Sequence, residues 1–486
     1  MVESQIPDGE LAEAKPKGTK PAAAKARGPR PGSPGGIAAQ AAAARLEAER
    51  HPGLMARTAA AAILQDIVAK GHLLDERFAP TAVPNRLQGL SPRDCGLTRS
   101  IVTAALRRLG TVRSAIADML EQGLPRQSPE IEWTLIVAAT QILFLDVPDH
   151  AAVDLAVRAV RLEKKSAPFA ALVNGVLRNI ARSRDAILAN SDALEKDIPN
   201  WLATRWRKTY GEETARAIAA AIREEPTLDI TVKSDPHGWA ARLGARVLPT
   251  GSLRLETHQA IDELDGYADG EWWVQDAAAA LPATLLPLGQ GVRVADFCAA
   301  PGGKAAQIAA AGAELTAVDR SAERLKRLSA NLARLRLTAE LVVADATSFK
   351  AAPYDAVLLD APCLGTGTLR RHPDIAWTKK PGDLVALTAL QARLLDKAVE
   401  MTVPGGTIVY CTCSIEPEEG EMQIAALLRR NPDVMRAPIA ASEIGGLAEL
   451  INDHGEIRSL PSHLPGPEPR FAGIDGFFAA RLKRRD

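Results

Sequence analysis

Two cysteines, Cys363 and Cys413, lie just beyond two predicted strands in the second half of the chain. Cys363 falls in DAPCLGTGTLRRHPDIAW, after a strand over residues 354–359 that ends in Asp360, and Cys413 falls in YCTCSIEPEEGE, after a strand over residues 407–411. Both thiols are therefore predicted at the rim formed by the carboxyl ends of parallel strands, where such sheets bind ligands. A low-pKa thiolate at that rim is suited to nucleophilic catalysis.

Two thiols at one rim fit methylation of a pyrimidine at carbon 5. Carbon 5 of cytosine is a poor nucleophile, but a thiolate that adds to carbon 6 turns the ring into an enamine that can attack a sulfonium methyl group. A carboxyl group at ring nitrogen 3 can protonate the ring during this addition. The proton on carbon 5 must then leave before the thiolate is expelled, so the reaction also needs a base and a release step.

Other interpretations of the cysteines are less well supported. Cys411 and Cys413 are spaced C-x-C rather than C-x-x-C, which disfavours a redox pair, and the cysteine pairs or clustered histidines of a zinc site are absent from the sequence. A buried structural thiol is the favoured interpretation for Cys298 and Cys411, because free cysteine is commonly a small core residue. Cys363 and Cys413 have Pro, Gly, Ser and charged neighbours, which indicate loops.

A glycine-rich turn joins an earlier strand of the same region to a helix. The strand over residues 292–296 runs directly into FCAAPGGKAAQIA. Glycine lets the backbone approach a ligand closely, and the first N–H groups of the following helix point at whatever lies there.

Four acids end or closely follow four successive predicted strands: Asp296, Asp319, Asp345 and Asp360. Asp319 lies about 20 residues past the glycine-rich turn, where nucleotide-binding sheets place a carboxylate for ribose hydroxyls. Asp345 suits an adenine amino group. The pattern predicts a nucleoside-type ligand, although neither GxGxxG nor GxxxxGK(S/T) occurs.

Composition limits the class of protein. The chain has 486 residues, which predicts two or three domains, and it lacks a run of about 18 apolar residues that would predict a transmembrane helix. Its 59 basic and 59 acidic residues cancel, so any basic surface must be local. Five scattered cysteines predict free thiols in a reducing compartment. Without the apolar core of a secretory signal, the chain is expected in the cytoplasm.

Four segments are predicted along the chain. Residues 1–54, rich in Pro, Gly and Lys, predict a disordered basic tail that either holds RNA weakly or only solubilises the chain. Residues 55–192 have helical periodicity and predict an all-α domain of five or more helices. Residues 199–275 predict a small α+β subdomain. Residues 276–486 alternate strands and helices, which predicts an α/β domain with a parallel, doubly wound sheet.

Basic residues are concentrated in the second half of the helical segment. They are Arg158, Arg161, Lys164, Lys165, Arg178, Arg182 and Arg184. Such a run indicates either contacts with an RNA backbone or an ordinary solvated face.

At these motifs the sequence resembles the RNA cytosine-5 methyltransferase family, in its ribosomal RNA small subunit methyltransferase B group. The matching segments are VQDAAAALPA, DFCAAPGGK, DAPCLGTGTLRRHPDIAW, YCTCSIEPEEGE and DGFFAARLKR. The helical segment is similar to the NusB-like RNA-binding fold, best over FAALVNGVLRNI at residues 169–180. The resemblance covers nearly everything after residue 55. It implies a NusB-like all-α domain, a small α+β subdomain and a Rossmann-like α/β methyltransferase domain.

The resemblance also implies roles for individual residues. The cofactor S-adenosyl-L-methionine would be bound by Cys298, Ala299, Ala300, Pro301, Gly302, Gly303, Lys304, Asp319, Asp345 and Asp360. Cys413 would be the nucleophile that adds to a cytosine, Cys363 would assist product release, and Asp360 would also face the target base.

The loop after Cys363 leaves two points open. Arg370, Arg371 and His372 either approach RNA or brace the loop. Leu364 stands where many members of the family have Ser, which leaves the hydrogen bonding around Cys363 undetermined, and Cys411 stands where a small residue is usual.

The implied partner is RNA, and 16S ribosomal RNA in particular, since the helical domain accompanies these motifs in the resembling group. Transfer RNA is the alternative substrate for the same chemistry. A non-catalytic RNA-binding assembly factor is disfavoured because Cys413 and the Pro-Gly-Gly turn are intact. A DNA cytosine methyltransferase would use a Pro-Cys nucleophile at the position of Cys363, but the second cysteine after the next strand favours the RNA type. We expect a monomer that binds neither a metal ion nor a membrane.

Overall fold

The computed structural model describes residues 50–257 and 259–486, so the predicted tail lies almost wholly outside the described chain. A helical region comes first. Its helices are α1 (Leu54–Lys70), α2 (Leu74–Phe78), α3 (Pro92–Arg107), α4 (Leu109–Asp118), α5 (Ile131–Phe144), α6 (Asp149–Leu162), α7 (Ala170–Arg182) and α8 (Arg184–Ala189). No helix of the described residues is long and apolar enough to cross a membrane.

Helix α5 is the centre of the helical region because it is apolar on nearly every side. Leu135, Ile136 and Ala139 are fully buried, and α1, α3, α4, α6 and α7 all pack against this helix. The outer helices bury one face each, as α7 does with Val173 and Leu177. The predicted all-α region is confirmed.

Helix α9 (Asn200–Arg223) packs on the C-terminal part of the chain. The indole of Trp206 is buried, and its Nε1 donates a hydrogen bond to the Glu416 carboxylate over 3.0 Å. The helix shares an apolar cluster with Ile415 and Leu460. The helix that opens the predicted 199–275 segment is therefore not part of the core of the small sheet that follows it.

The elements of that small sheet are β1 (Leu228–Val232), α10 (Pro236–Leu243), β2 (Arg246–Val247), β3 (Leu253–Leu255) and β4 (Trp272–Val274). The sheet is antiparallel, with the order β2-β3-β1-β4. It buries Ile230, Leu253 and Trp272 in a core of its own.

The C-terminal region is built on an eight-stranded sheet with helices packed against it. Its strands are β5 (Arg293–Phe297), β6 (Glu314–Asp319), β7 (Glu340–Val343), β8 (Tyr354–Asp360), β9 (Thr402–Thr412), β10 (Val434–Arg436), β11 (Ile457–Ser459) and β12 (Phe477–Arg484). Its helices are α11 (Ala277–Thr284), α12 (Gly303–Ala310), α13 (Ala322–Arg334), α14 (Ile375–Thr378), α15 (Pro381–Glu400) and α16 (Glu421–Arg430).

The sheet is parallel over β7-β6-β5-β8-β9. β12 then lies antiparallel to β9, and β10 and β11 both pair with β12 in antiparallel register. The Rossmann-like architecture is confirmed, but the prediction of a wholly parallel sheet is wrong at this edge. The long connection between β10 and β12 returns the chain to the carboxyl-end rim of β9, so the last strand starts there and runs the opposite way.

The helical and C-terminal regions meet at the loop over residues 370–377. Arg107, at the end of α3, donates a hydrogen bond from Nη2 to the main-chain carbonyl of Arg370 over 3.0 Å. Trp377 of α14 donates from its indole to the carbonyl of Leu106 over 2.8 Å. Helices of the first region therefore support a loop that follows Cys363.

Candidate active site

The two predicted catalytic thiols lie side by side, with 3.5 Å between the Sγ atoms of Cys363 and Cys413. β8 and β9 are neighbouring parallel strands in which Asp360 is paired with Cys411, so each strand delivers its cysteine to the same rim. The N–H of Gly367 also donates to the carbonyl of Cys413 over 3.0 Å, which ties the Cys363 loop to the end of β9.

The surroundings make the two thiols unequal. The hydrogen bond with Cys413, followed by burial, raises the pKa of Cys363 well above its usual value. Cys363 is therefore held as a neutral thiol whose S–H can be donated to its neighbour. Lys304 and Arg371 both interact electrostatically with Cys413, so positive charge is close to that sulfur.

Asp360 lies between the thiols and the glycine-rich turn. Lys304 is 2.8 Å away, from Nζ to the Asp360 carboxylate, and this ammonium also lies 4.9 Å from the ring centre of Phe477. Burial is the largest single influence and lowers the pKa of Lys304, but the charge and hydrogen bond of Asp360, together with interactions with Cys411 and Cys413, outweigh it, so the net pKa is raised. Cys411 is fully buried, as the structural interpretation predicts, with its Sγ 3.7 Å from an Asp360 oxygen.

The turn after β5 is tightly shaped. Cys298 has a φ of +63°, and burial raises the pKa of its thiol to about 12, which suits a structural role. Gly302 has a φ of +109°, and a Cβ there would stand 2.8 Å from the side chain of Leu328. Ala299 donates its N–H to the carbonyl of Val318 over 3.1 Å. Pro301 and Gly303 complete the turn, from which α12 begins.

The acids at the strand ends differ in their surroundings. Asp319 is buried and accepts the N–H groups of Ala300 and Ser321 over 3.2 and 2.9 Å, so it supports the turn. Asp345 is exposed and accepts the N–H and hydroxyl of Thr347, which lowers its pKa.

Asp296 is the exception among these acids. Its side chain is 1% exposed, and neither carboxylate oxygen has a hydrogen-bond partner in the described part of the chain. Burial, reinforced by the charge of Asp360, raises its pKa well above the usual value. Buried acceptors without donors are unfavourable, so this position favours a ligand that brings donors.

The basic loop after Cys363 mostly braces the structure. Arg370 is 2% exposed and donates to the carbonyl of Ala472 over 2.8 Å. Arg371 donates from Nε to the buried carboxylate of Asp475 over 2.8 Å. Arg370 and Arg371 therefore brace the loop, which is one of the two alternatives left open by the sequence. His372 is partly exposed and lies near Asp75 of the helical region.

Comparisons with known proteins identify the family to which the two regions of the chain belong. Residues 283–483 match the family described as 16S rRNA methyltransferase RsmB/F, and residues 54–182 match the NusB family. A ribosomal RNA small subunit methyltransferase B from Vibrio cholerae is 34% identical over 441 residues, covering 87% of this chain and 96% of that protein. The chain belongs to the 16S rRNA methyltransferase RsmB/F family. A relative of the same name from Cronobacter sakazakii is 32% identical, covering 87% and 97%.

Solved structures share the fold of this RsmB/F methyltransferase. The crystal structure of PH0851 has a TM-score of 0.65 and 21% identity, covering 88% of this chain and 99% of that chain. A methyltransferase homologue from Pyrococcus horikoshii has a TM-score of 0.50 and 26% identity, covering 59% and 95%. The predicted RNA methyltransferase class and NusB-like domain are confirmed, and S-adenosylmethionine is the cofactor that this class supports.

Two polar side chains beside the thiols of this RsmB/F methyltransferase were not predicted. Glu419 and Gln391 are fully buried and bond to the loop that carries Cys363. Glu419 lies within the segment YCTCSIEPEEGE, where an acid two residues before α16 suggests only a helix start. Gln391 lies among apolar residues of α15. A polar residue on the buried face of a helix was the feature of the sequence that could have indicated its role.

Proposed function

We propose that this protein transfers a methyl group from S-adenosylmethionine to carbon 5 of a cytosine in 16S ribosomal RNA, through a covalent adduct of Cys413 at carbon 6. The observation that carries the proposal is the 3.5 Å separation of the Cys363 and Cys413 sulfurs beside Asp360. One reactive thiol would suffice for addition, whereas a paired thiol serves a reaction whose adduct must also be broken.

The residues around the glycine-rich turn fit the cofactor. The orphaned, buried carboxylate of Asp296 accepts donors that a ligand would bring, and the space at Gly302 and Gly303 would be closed by a Cβ that meets Leu328 or Gln275. We assign the cofactor contacts to Cys298, Ala299, Ala300, Pro301, Gly302, Gly303, Lys304, Asp319, Asp345 and Asp360. When bound, the cofactor supplies a methyl group that carbon 5 can attack.

Addition begins at Cys413. Its thiolate forms a bond to carbon 6 of the cytosine, and the electron pair of the carbon 5–carbon 6 double bond becomes available at carbon 5. The Lys304–Asp360 pair, joined over 2.8 Å, offers a proton on the side of ring nitrogen 3, where charge develops.

Release reverses the addition. The proton on carbon 5 passes to a base, and the proton taken up at ring nitrogen 3 returns to the Lys304–Asp360 pair. The electron pair of the former carbon 5–hydrogen bond re-forms the double bond, and the bond between carbon 6 and the Cys413 sulfur breaks. The neutral Cys363 thiol, whose pKa is raised by the hydrogen bond with Cys413 and by burial, donates its S–H to the departing sulfur. We therefore assign Cys363 to release.

The test is bisulfite sequencing of 16S ribosomal RNA and transfer RNA from cells with and without the gene. A cytosine of 16S RNA should lose its protection in the deletion and regain it with the wild-type gene but not with Cys413→Ala. If only transfer RNA loses protection, the substrate is transfer RNA rather than 16S ribosomal RNA. Unchanged protection in both, with a methyl group lost elsewhere on the RNA, would refute carbon 5 as the target.

A further inference from the structure

Glu419 is a buried carboxylate next to the Cys363 loop. Its side chain is 0% exposed, and none of the ion pairs found among residues 50–257 and 259–486 includes it. Both of its oxygens accept the main-chain N–H of Leu364, at 3.1 Å each. A buried charge without a cation is costly unless hydrogen bonds stabilise it, so its position calls for a role.

Gln391 completes a clamp around Cys363. Its Nε2 donates to the Glu419 carboxylate over 3.0 Å and to the carbonyl of Pro362 over 2.9 Å. The peptide groups immediately before and after Cys363 are thus both held, one by Gln391 and the other by Glu419. The clamp acts on the main chain, so it does not depend on whether residue 364 is Ser or Leu.

Glu419 is also anchored to the strand that carries the other thiol. The phenol of Tyr410, near the carboxyl end of β9, donates to the main-chain carbonyl of Glu419 over 2.7 Å. The hydroxyl of Thr412, the residue before Cys413, lies 3.5 Å from the same carbonyl. One residue therefore bonds to the main chain beside Cys363 and, through the hydroxyls of Tyr410 and Thr412, to the strand that leads to Cys413.

We propose that Glu419, together with Gln391, is a positioning residue that holds the Cys363 thiol against Cys413 and so governs release of the methylated product. This inference rests on the proposed function. The clamp touches neither the Cys413 side chain nor the turn assigned to the cofactor, so addition and methyl transfer need it much less than release does. Burial raises the pKa of Glu419 itself, and in its charged form Glu419 adds to the hydrogen bond with Cys413 and to burial, the larger causes that raise the pKa of Cys363.

The test compares two rates in Glu419→Gln and Gln391→Met, with 16S RNA and S-adenosylmethionine as substrates. We expect steady-state turnover to fall about tenfold or more, which corresponds to about 1.4 kcal/mol or more in the barrier for release. Methyl transfer in a single turnover should change less than about threefold, and a covalent protein–RNA band should accumulate on a denaturing gel.

Glu416→Gln is the matched control. Glu416 is similarly buried and lies three residues away, but its carboxylate accepts from Arg205 and Trp206 of α9 rather than from either cysteine loop. This variant should lower the melting temperature without separating the two rates or trapping RNA. Equal losses of both rates in Glu419→Gln and Gln391→Met, or no trapped band in either, would overturn the positioning role.

Failure of the clamp and failure of the proposed function are distinguishable. If the wild-type enzyme makes 5-methylcytidine and Cys363→Ala traps RNA while the clamp variants do not, only the clamp is refuted. If the wild-type enzyme makes no 5-methylcytidine, the proposed function itself is wrong. If Glu419→Gln does not fold, Gln391→Met still tests the positioning role. It removes the bond to Pro362 and one bond to Glu419 while nearly preserving the volume of the side chain.

Discussion

The ammonium of Lys304 is paired with the carboxylate of Asp360 over 2.8 Å, and the lysine side chain is only 9% exposed. This pair joins the helix that begins at the glycine-rich turn to the strand that leads to Cys363. The two halves of the proposed site, for the cofactor and for the base, therefore share one ion pair.

Replacing Lys304 by Met should abolish most activity. The variant leaves Asp360 without its cation, removes positive charge near Cys413 and removes the proton donor proposed for ring nitrogen 3. A positioned proton donor typically contributes about 100-fold or more to the rate. We expect kcat for methylation to fall at least about 100-fold, measured by tritium transfer from S-adenosylmethionine. Lys326→Met is the control, because Lys326 pairs with Glu323 on the exposed surface of α13. Activity near that of the wild type in Lys304→Met would contradict the role of the pair.

The two cysteines should give opposite results when replaced. Cys413→Ala cannot add to the ring, so it should neither methylate RNA nor form an adduct. Cys363→Ala should methylate once and then remain attached to its RNA, because the donor for the departing sulfur is missing. A denaturing gel with RNA and S-adenosylmethionine reports this as a slow-migrating protein–RNA band.

The double variant Cys363→Ala/Cys413→Ala should lose that band. Cys411→Ala is the control within the same strand, since Cys411 is buried and has no proposed catalytic step. A trapped band from Cys413→Ala, with none from Cys363→Ala, would show that the two roles are reversed.

Asp319→Ala should weaken cofactor binding in the full-length protein. Asp319 accepts the N–H groups of Ala300 and Ser321, so its loss disturbs the turn as well as the assigned ribose contact. Calorimetric titration with S-adenosylmethionine should give at least about a tenfold weaker Kd, or about 1.4 kcal/mol. Asp355→Ala, at the opposite end of the sheet, should bind normally, and an unchanged Kd for Asp319→Ala would refute this assignment.

In the absence of cofactor, the Asp296→Asn variant should be more stable than the wild type, and this difference in stability should grow as pH rises. Burial raises the pKa of Asp296 in the folded state, so its ionisation opposes folding. The wild type should lose stability relative to the variant as pH rises from the usual carboxyl pKa through the raised one, by about 1.4 kcal/mol per unit of difference. Urea unfolding at several pH values measures this.

Asp345→Asn provides a control of opposite sign. Hydrogen bonds from Thr347 lower the pKa of Asp345, so this acid contributes stability above its usual pKa, and that contribution is lost as pH falls through the lowered value. Parallel pH profiles for Asp296→Asn and the wild type would exclude an ionisation penalty at Asp296.

The basic face of α6 and α7 should contribute to RNA affinity. Arg161, Lys164, Arg178 and Arg182 are exposed, whereas Arg184 is paired with Asp149. Replacing the first four with Gln should weaken RNA binding and flatten its salt dependence, by roughly 0.7–0.9 units of slope for each phosphate that the protein no longer neutralises. Arg184→Gln should alter stability more than the slope. If the salt dependence of RNA binding is unchanged in the variant with all four replacements, this face contacts solvent and not RNA.

The strand ends of the site were predictable because they follow from local pattern. Buried runs that stop at Asp319 or Asp360 specify both a strand and the edge at which it ends, and β8 begins at the predicted Tyr354 and ends at Asp360. The pairing of Cys363 with Cys413 followed because neighbouring parallel strands end at one rim.

Other features depend on contacts that no local pattern encodes. The direction of β12 is set by the path of the chain before it, and its buried residues Phe478 and Leu482 would suit either direction. The clamp brings together Pro362, Gln391 and Glu419. Gln391 lies 29 residues after Pro362 and 28 residues before Glu419 along the chain. Arginines at 370 and 371 suit a solvated surface as well as internal bonds, and only the positions of the Ala472 carbonyl and the Asp475 carboxylate decide between these alternatives.

The bonds from Arg107 to the carbonyl of Arg370 and from Trp377 to the carbonyl of Leu106 make the helical and catalytic regions thermodynamically dependent on each other. Neither region can unfold without breaking hydrogen bonds made by the other, so heating should melt both in one cooperative transition. A ligand that binds only at the strand ends should then raise the melting temperature of helices that it never touches.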